Sequence, residues 1–276
     1  MSRNIIIVVV VLAVIALAAL AFAVFRTPEE ASAPITAATL TIETSQPVAA
    51  ATEPATAAPE PTVVPAATEP AADPTATPAE EAAAAPAATA TTAPAPAAEL
   101  AIFEIVQAES QARFIIDEVL RGSPERVVGV TDQVAGQIAI DPANPAAAQL
   151  GEVRVNVRTL ATDNDFRNRA IKNFILETDA FEFVTFQPTE LVGLPQTATV
   201  GQPFTFQVVG NLTIRDVTQP TTFDVTVTPV SETRIEGLAT VIFPYRDFGL
   251  RIPDAPAVDT VADDVTLELA FVAEAS

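Results

Sequence analysis

The sequence predicts a mainly β domain, an antiparallel barrel or sandwich carrying one short helix, set behind an apolar helix and a disordered linker. Three observations predict it. Period-two runs of apolar residues dominate the C-terminal 178 residues, one stretch there switches to helical spacing, and the N-terminal third holds first an uncharged apolar run and then a proline-rich tract. The chain of 276 residues thus divides into Met1–Arg26, Thr27–Ala98 and Glu99–Ser276. Only the last division is long enough to bury a sizeable core.

Ile5–Phe25 contains no charged residue and is rich in Ile, Val, Leu and Ala. As a helix it spans roughly 30 Å, the thickness of a bilayer core. We expect a single-pass transmembrane anchor. The competing reading is a signal peptide cleaved near Ala21-Phe22-Ala23, but a signal's apolar region is usually only about 7–15 residues long. Acylation as a lipoprotein is excluded, because the chain has no cysteine. A short N-terminal tail before a long polar remainder places the domain outside the cytoplasm, or free as a secreted or periplasmic protein if the segment is cleaved.

Thr27–Ala98 holds 13 prolines among Ala, Thr and Glu, with no apolar periodicity. Proline removes backbone donors, and too little bulky apolar surface is present to offset chain entropy. The expectation is a semi-extended spacer that lets the domain search the space near the membrane. Its Thr-Pro density would also admit O-glycosylation.

From Glu99 onward the strands can be read one by one. Val153, Val155 and Val157 alternate with Arg154, Asn156 and Arg158. Phe204-x-Phe206-x-Val208, Phe223-x-Val225-x-Val227 and Leu267-x-Leu269-x-Phe271 repeat the pattern. Further strands are expected at Ile102–Val106, Arg113–Val119, Val127–Thr131, Gly136–Asp141, Phe183–Leu191 and Arg234–Ile242. Turn chemistry at Gly122-Ser123-Pro124, Asp141-Pro142-Ala143-Asn144 and Gly201-Gln202-Pro203 separates them. Phe166, Ala170, Ile171, Phe174 and Ile175 fall at helical spacing, which predicts a helix near Asp163–Leu176 with a capping-box start at Thr162. The total is nine or ten strands and one helix. Periodicity leaves open whether the inward side chains fill the middle or line a hollow one.

Charge and composition exclude several functions. The net charge is −21, and the C-terminal division holds 26 acids against 12 basic residues, so nucleic-acid phosphates should be repelled. With neither Cys nor His, thiol and Ser-His chemistry and the usual zinc ligands are ruled out, and no cofactor is expected. No pair of carboxylates has a spacing that predicts a shared cleft, so we expect no enzyme. Asp163-Asn164-Asp165 lacks the later glycine and glutamate of a calcium loop, and no metal site is expected. Asn211-Leu212-Thr213 matches a glycosylation pattern only within an expected strand. Lys172, the one lysine, falls on the polar face of the expected helix and should be solvated.

Four stretches resemble the YceI-like family of bacterial lipid-binding proteins. They are Phe103-Glu104-Ile105 with Ser110–Phe114; Leu160-Ala161-Thr162 through Arg167-Asn168 to Phe181–Phe186; Gly210-Asn211-Leu212-Thr213-Ile214-Arg215-Asp216-Val217-Thr218-Gln219-Pro220; and Arg246-Asp247-Phe248-Gly249-Leu250. The third is the most specific. They run in order over essentially Leu100–Phe271. The resemblance implies an antiparallel lipocalin-like β-barrel with a helix folded over it, holding a polyisoprenoid chain or isoprenoid quinone in an apolar tunnel for carriage or sequestration. The alternative is a structural or adhesive surface module with a filled barrel on a spacer stalk. The family's histidine positions read Asp117-Glu118-Val119 and Arg169-Ala170-Ile171 here, and its Asp after the helix Arg is Asn168.

Expected partners are thus an apolar isoprenoid lipid and, through the N-terminal helix, the membrane; the sequence leaves open whether two copies pair. The expected apolar lining is Phe114, Phe166, Phe174, Phe183, Phe186, Phe206, Phe223 and Phe248. The expected polar head-group residues are Arg167, Arg246 and Asp247, since an arginine fork can grip a pyrophosphate or carbonyl. The competing role for those arginines is an ion pair that fixes helix to barrel.

Overall fold

A computed structural model of the chain describes residues 26–32, 34–40, 100–141, 144–255 and 258–276. The expected anchor Ile5–Phe25 and most of the expected spacer lie outside these residues. Among the described residues no helix is long and apolar enough to cross a membrane.

Thirteen strands form one curled antiparallel sheet: β1 (Ala101–Ile105), β2 (Gln111–Leu120), β3 (Ser123–Thr131), β4 (Val134–Ala135), β5 (Gln137–Ile140), β6 (Gln149–Leu150), β7 (Val153–Asn156), β8 (Phe183–Val192), β9 (Phe204–Ile214), β10 (Val217–Ser231), β11 (Arg234–Pro244), β12 (Val258–Val261) and β13 (Asp264–Ala275). The main ladder runs β4-β7-β8-β9-β10-β11-β13-β1-β5-β6, and β2 joins β13 to β3 and β12. β13 is long enough to serve two partners on one edge. Its first part pairs with β2 at Thr266–Ala270, and its end pairs with β1 at Ala273–Ala275. β4 pairs with β7 and β5 with β1, yet only Gly136 separates β4 from β5. One stretch of chain therefore meets both ends of the ladder, and this curls the sheet round an interior.

The alternating runs form strands where expected, because one apolar face per strand suits a sheet with a buried concave side. The three strands beyond the expected count, β4, β6 and β12, have two to four residues each. Elements so short carry no readable period. The turn expected at Gly122-Ser123-Pro124 lies one residue earlier. Arg121 and Gly122 both take positive φ (52° and 79°), which makes a two-residue hairpin whose twist matches its strands, and Ser123 and Pro124 already belong to β3.

The helix α1 (Asp165–Ala170) continues into one π-helical turn, Ile171–Ile175. Its cap differs from expectation. Asn164, not Thr162, caps it, accepting from the Phe166 and Arg167 amides at 2.9 and 3.1 Å. Thr162 is engaged elsewhere: its amide and hydroxyl both donate to Asn168 Oδ1 at 2.7 Å. Lys172 is half-buried rather than solvated, and that burial pulls its ammonium below the usual lysine range.

All of Thr27–Ala98 is expected to form one spacer, but the described residues at its beginning are bound to the sheet domain. The Glu29 amide donates to Asp179 at 2.9 Å. The Ser32 amide and hydroxyl donate to the two oxygens of Glu182, each at 2.7 Å. The Leu40 amide donates to Gln137 at 2.8 Å. Composition could not reveal this, since the segment has no internal pattern and its partners are side chains about 100 to 150 residues away.

Candidate functional site: an apolar cavity

The concave face of the sheet does not close on itself. It surrounds a cavity of about 360 Å³, which lies within the usual range of small-molecule sites, about 300–1,000 Å³. The wall is built from the inward halves of the alternating runs: Ala112, Phe114 and Ile116 on β2, Phe204, Phe206 and Val208 on β9, Phe223, Val225 and Val227 on β10. β13 adds Val265, Leu267, Leu269 and Phe271.

A sheet bearing this many aromatic rings would ordinarily fill its own interior. Three glycines prevent it. A Cβ at Gly129 would lie 2.1 Å from Phe114 Cε1, one at Gly237 would lie 2.4 Å from Phe271 Cζ, and one at Gly210 would lie 2.6 Å from Phe186 Cζ. Gly129 stands directly across from Phe114 on the neighbouring strand, and Gly237 across from Phe271. Part of each ring therefore occupies space beside the wall that only a missing side chain leaves.

Two ion pairs border the cavity. Arg113 and Glu268 are facing residues of β2 and β13, with Nε and Oε2 2.5 Å apart. Glu118 follows Phe114 and Ile116 on the inward face of β2, and its side chain is 8% exposed. Arg167, reaching down from α1, meets it at 2.8 Å and also meets Asp163 at 2.6 Å. Ile171, Ile175 and Leu176 of the same segment complete that end of the wall. The remaining lining is almost wholly hydrocarbon. The site can hold an apolar molecule along most of its length and offers a guanidinium and a carboxylate at one end.

Four of the eight expected phenylalanines line the cavity: Phe114, Phe186, Phe206 and Phe223. The other four do not, for distinct reasons. Phe183 cannot share a face with Phe186, being three residues away on a period-two strand; it packs outside, under the Arg154 guanidinium at 4.6 Å. Phe166 precedes Arg167 on α1, and neighbours on a helix point about 100° apart. With Arg167 turned inward, Phe166 is left 70% exposed. On the π-helical turn Ile171 and Ile175 face the cavity, and Phe174 is turned out of the wall. Phe248 is buried behind the wall, 4.8 Å from the Phe243 ring that lines it.

Of the expected polar residues only Arg167 reaches the cavity. Arg246 is exposed, pairs with Asp263 and stacks over Tyr245 at 5.0 Å. Asp247 accepts from Gln219 through its carbonyl at 3.0 Å. Both lie on the 3₁₀ turn Tyr245–Phe248. Glu118, Phe204, Phe243 and Phe271 also line the cavity, though none is among the residues expected there. Parity was the available signal: Phe204 shares a face with Phe206, and Glu118 is a carboxylate in an inward apolar register.

A second polar cluster lies outside the wall. Asn156 is fully buried and donates to Glu182 at 2.8 Å, while Arg158 donates to the Thr178 and Asp179 carbonyls at 2.9 and 3.0 Å. Burial would raise the Glu182 pKa, but the hydroxyl and amide of Ser32, Asn156 and the Arg158 charge outweigh it and hold the carboxyl below its usual range.

Comparison with known proteins supplies a family. The model of the YceI-like domain matches residues 103–273. Among solved structures, a polyisoprenoid-binding domain from Saccharophagus degradans implicated in plant cell wall breakdown is similar at a TM-score of 0.52 and 16% identity, over 64% of this chain and all of that one. BcnA of Burkholderia cenocepacia follows at 0.48 and 18%, over 61% of this chain and 98% of that one. The YCEI protein of Campylobacter jejuni is similar at 0.46 and 18%, over 54% of this chain and 84% of that one. No match was found among curated proteins.

Proposed function

Since the chain belongs to the YceI-like family, we propose that its sheet domain binds a long apolar lipid, a polyisoprenoid or an isoprenoid quinone, in the interior cavity. The observation that carries this reading is the hydrocarbon-lined hollow that the three glycines keep open. Each buried methylene of such a ligand contributes about 0.8 kcal/mol, so a chain of several isoprene units binds without a polar grip. The Glu118–Arg167 pair at one end suits a polar head such as a quinone carbonyl, which a guanidinium hydrogen can meet. The similar domain from Saccharophagus degradans is described as polyisoprenoid-binding, which supports the same ligand class here.

In this reading Ile5–Phe25 anchors the chain in the cell membrane with the domain outside the cytoplasm, and binding serves carriage or sequestration rather than catalysis. The test is to purify the chain from its membrane, extract it with organic solvent and examine the extract by mass spectrometry. Stoichiometric recovery of an isoprenoid is expected. Repeated recovery of empty protein that takes up no added long-chain isoprenoid would refute the proposal.

A further inference from the structure

α1 and its π-helical turn divide their residues between two environments. Arg167, Ile171 and Ile175 face the cavity. On another side stand Phe166, Arg169 and Asn173, spaced three and four residues apart and so neighbours on one helical face. Phe166 is the most exposed large apolar residue described, and the Arg169 guanidinium lies 5.7 Å over its ring. Among the described residues neither Arg169 nor Lys172 forms an ion pair, whereas the nearby acids Asp163, Glu177 and Asp179 are paired to Arg167, Arg215 and Arg26. Asp165 sits in the first turn, where the helix's positive end offsets it. Lys172 stands three residues beyond Arg169 and is half-buried, so an exposed aromatic ring lies beside two cations that have no acidic partner among the described residues, an unusual face on a chain with net charge −21.

The start of the bound N-terminal segment meets this same face. Asn173 donates to the Arg26 carbonyl at 3.1 Å, and the Arg26 guanidinium pairs with Asp179. Three further attachments follow along the chain: Glu29 on Arg158, Ser32 on Glu182, and Leu40 on Gln137. Arg26 directly follows the apolar run Ile5–Phe25. A chain leaving a bilayer at that point has no slack before it is fastened beside α1.

We propose that the Phe166–Arg169–Lys172 face is a docking surface for an anionic bilayer. Residues 26–32 and 34–40 act as a short strap that holds the cavity's α1 end against the membrane in which Ile5–Phe25 sits. The inference rests on the anchored lipid-binding reading above and adds an orientation to it: the ligand passes between bilayer and cavity beneath α1 without crossing water. Phe166 supplies the interfacial ring, and Arg169 and Lys172 attract anionic headgroups.

The test uses the full chain in vesicles of phosphatidylcholine and phosphatidylglycerol that contain a spin-labelled phospholipid. The chain has no cysteine, so Asp165→Cys and Val200→Cys each give a single fluorophore site. Val200 is exposed and lies beyond the far end of β10, where the Gly201 amide donates to Pro229; Arg215, at the near end, pairs with Glu177 beside α1. Twelve residue-to-residue steps of strand lead from Val217 to Pro229, roughly 40 Å. Strong quenching is expected at 165 and none at 200. The quenching should be lost on adding Arg169→Glu and Lys172→Glu, or Phe166→Ser. Vesicle flotation is measured in parallel. If the chain floats but the label at 165 stays unquenched, the docking face is refuted while the anchored reading stands. If the chain does not float, both are refuted. A change in emission at 165 that follows protein concentration and not lipid assigns the face to self-association and overturns the proposal.

Discussion

The hollow interior depends on single residues. Gly129, Gly210 and Gly237 work by absence, each leaving room for one phenylalanine ring against the wall. Gly129→Ala puts a methyl group 2.1 Å from Phe114 Cε1, and the ring has to swing into the cavity. Overpacking of this kind costs about 1–3 kcal/mol. We expect Gly129→Ala to destabilise the domain in urea and to lower isoprenoid uptake. Combining it with Phe114→Ala should restore uptake, because the displaced ring is gone; the double-mutant cycle measures the coupling. Arg167 makes a second case. Its removal leaves the Glu118 carboxylate buried without its partner. Because Arg167 is itself about a quarter exposed, we expect Arg167→Leu to cost about 2 kcal/mol, below the range for fully buried pairs. Adding Glu118→Gln should recover much of this loss in the same unfolding experiment.

At the scale of elements, α1 is the least self-sufficient part of the domain. It has six residues, one capping side chain and a wide turn after it. Helices so short draw their stability from packing and caps rather than from propensity. Asn164→Ala removes the acceptor for two amides, and a loss of about 1 kcal/mol is expected. The loss should be local. Amide exchange is expected to quicken across Asp165–Ala170 while the β9, β10 and β11 ladder keeps its protection. Equal loss of protection throughout the sheet would show that α1 is part of the cooperative core. The long strands β9, β10 and β11 behave differently, since each is paired on two sides. β10 pairs with β9 from Val217 to Val227 and with β11 from Asp224 to Ser231.

For the whole molecule, the bound segment makes attachment dependent on acidity. Glu182 is the hub, receiving Ser32, Asn156 and Arg158. Its folded pKa lies below the ordinary glutamate value. The interaction is therefore at full strength above that value and is lost as pH falls through the lower, folded one. Glu109 and Asp117, held by Arg234 and Arg126, shift in the same direction. Hydrogen exchange should find the Ser32 amide protected at neutral pH and exposed in acid, with Glu182→Gln abolishing the difference. A Ser32 amide equally exposed at both pH values would show that the contact does not persist in solution.

The same scale shows what could be read in advance. Strand after strand was legible because a sheet with one buried face imposes a period of two on its own sequence. The helix was legible from the 3.6-residue spacing of Phe166, Ala170, Ile171, Phe174 and Ile175. Those periods sort residues by face but are blind to distance. They could not distinguish Phe174, turned away on a widened helical turn, from Ile175, which lines the wall. Nor could they show that Asn156, on the polar side of β7, would be fully buried beside Glu182, where Ser32 is attached.

By itself, then, the sequence determined a mainly β class, the longer strands along the chain and, on each, one apolar face of hydrocarbon and aromatic side chains, because alternation is a local property written residue by residue. Whether that face met itself or left a hollow was decided only in three dimensions. The answer lies in which glycine stands beside which ring, and Phe114 and Gly129, or Phe271 and Gly237, become neighbours only when strands pair. Tertiary structure alone also fastened residues 26–32 and 34–40 to the domain, since a segment without internal periodicity takes its conformation from the surface it binds.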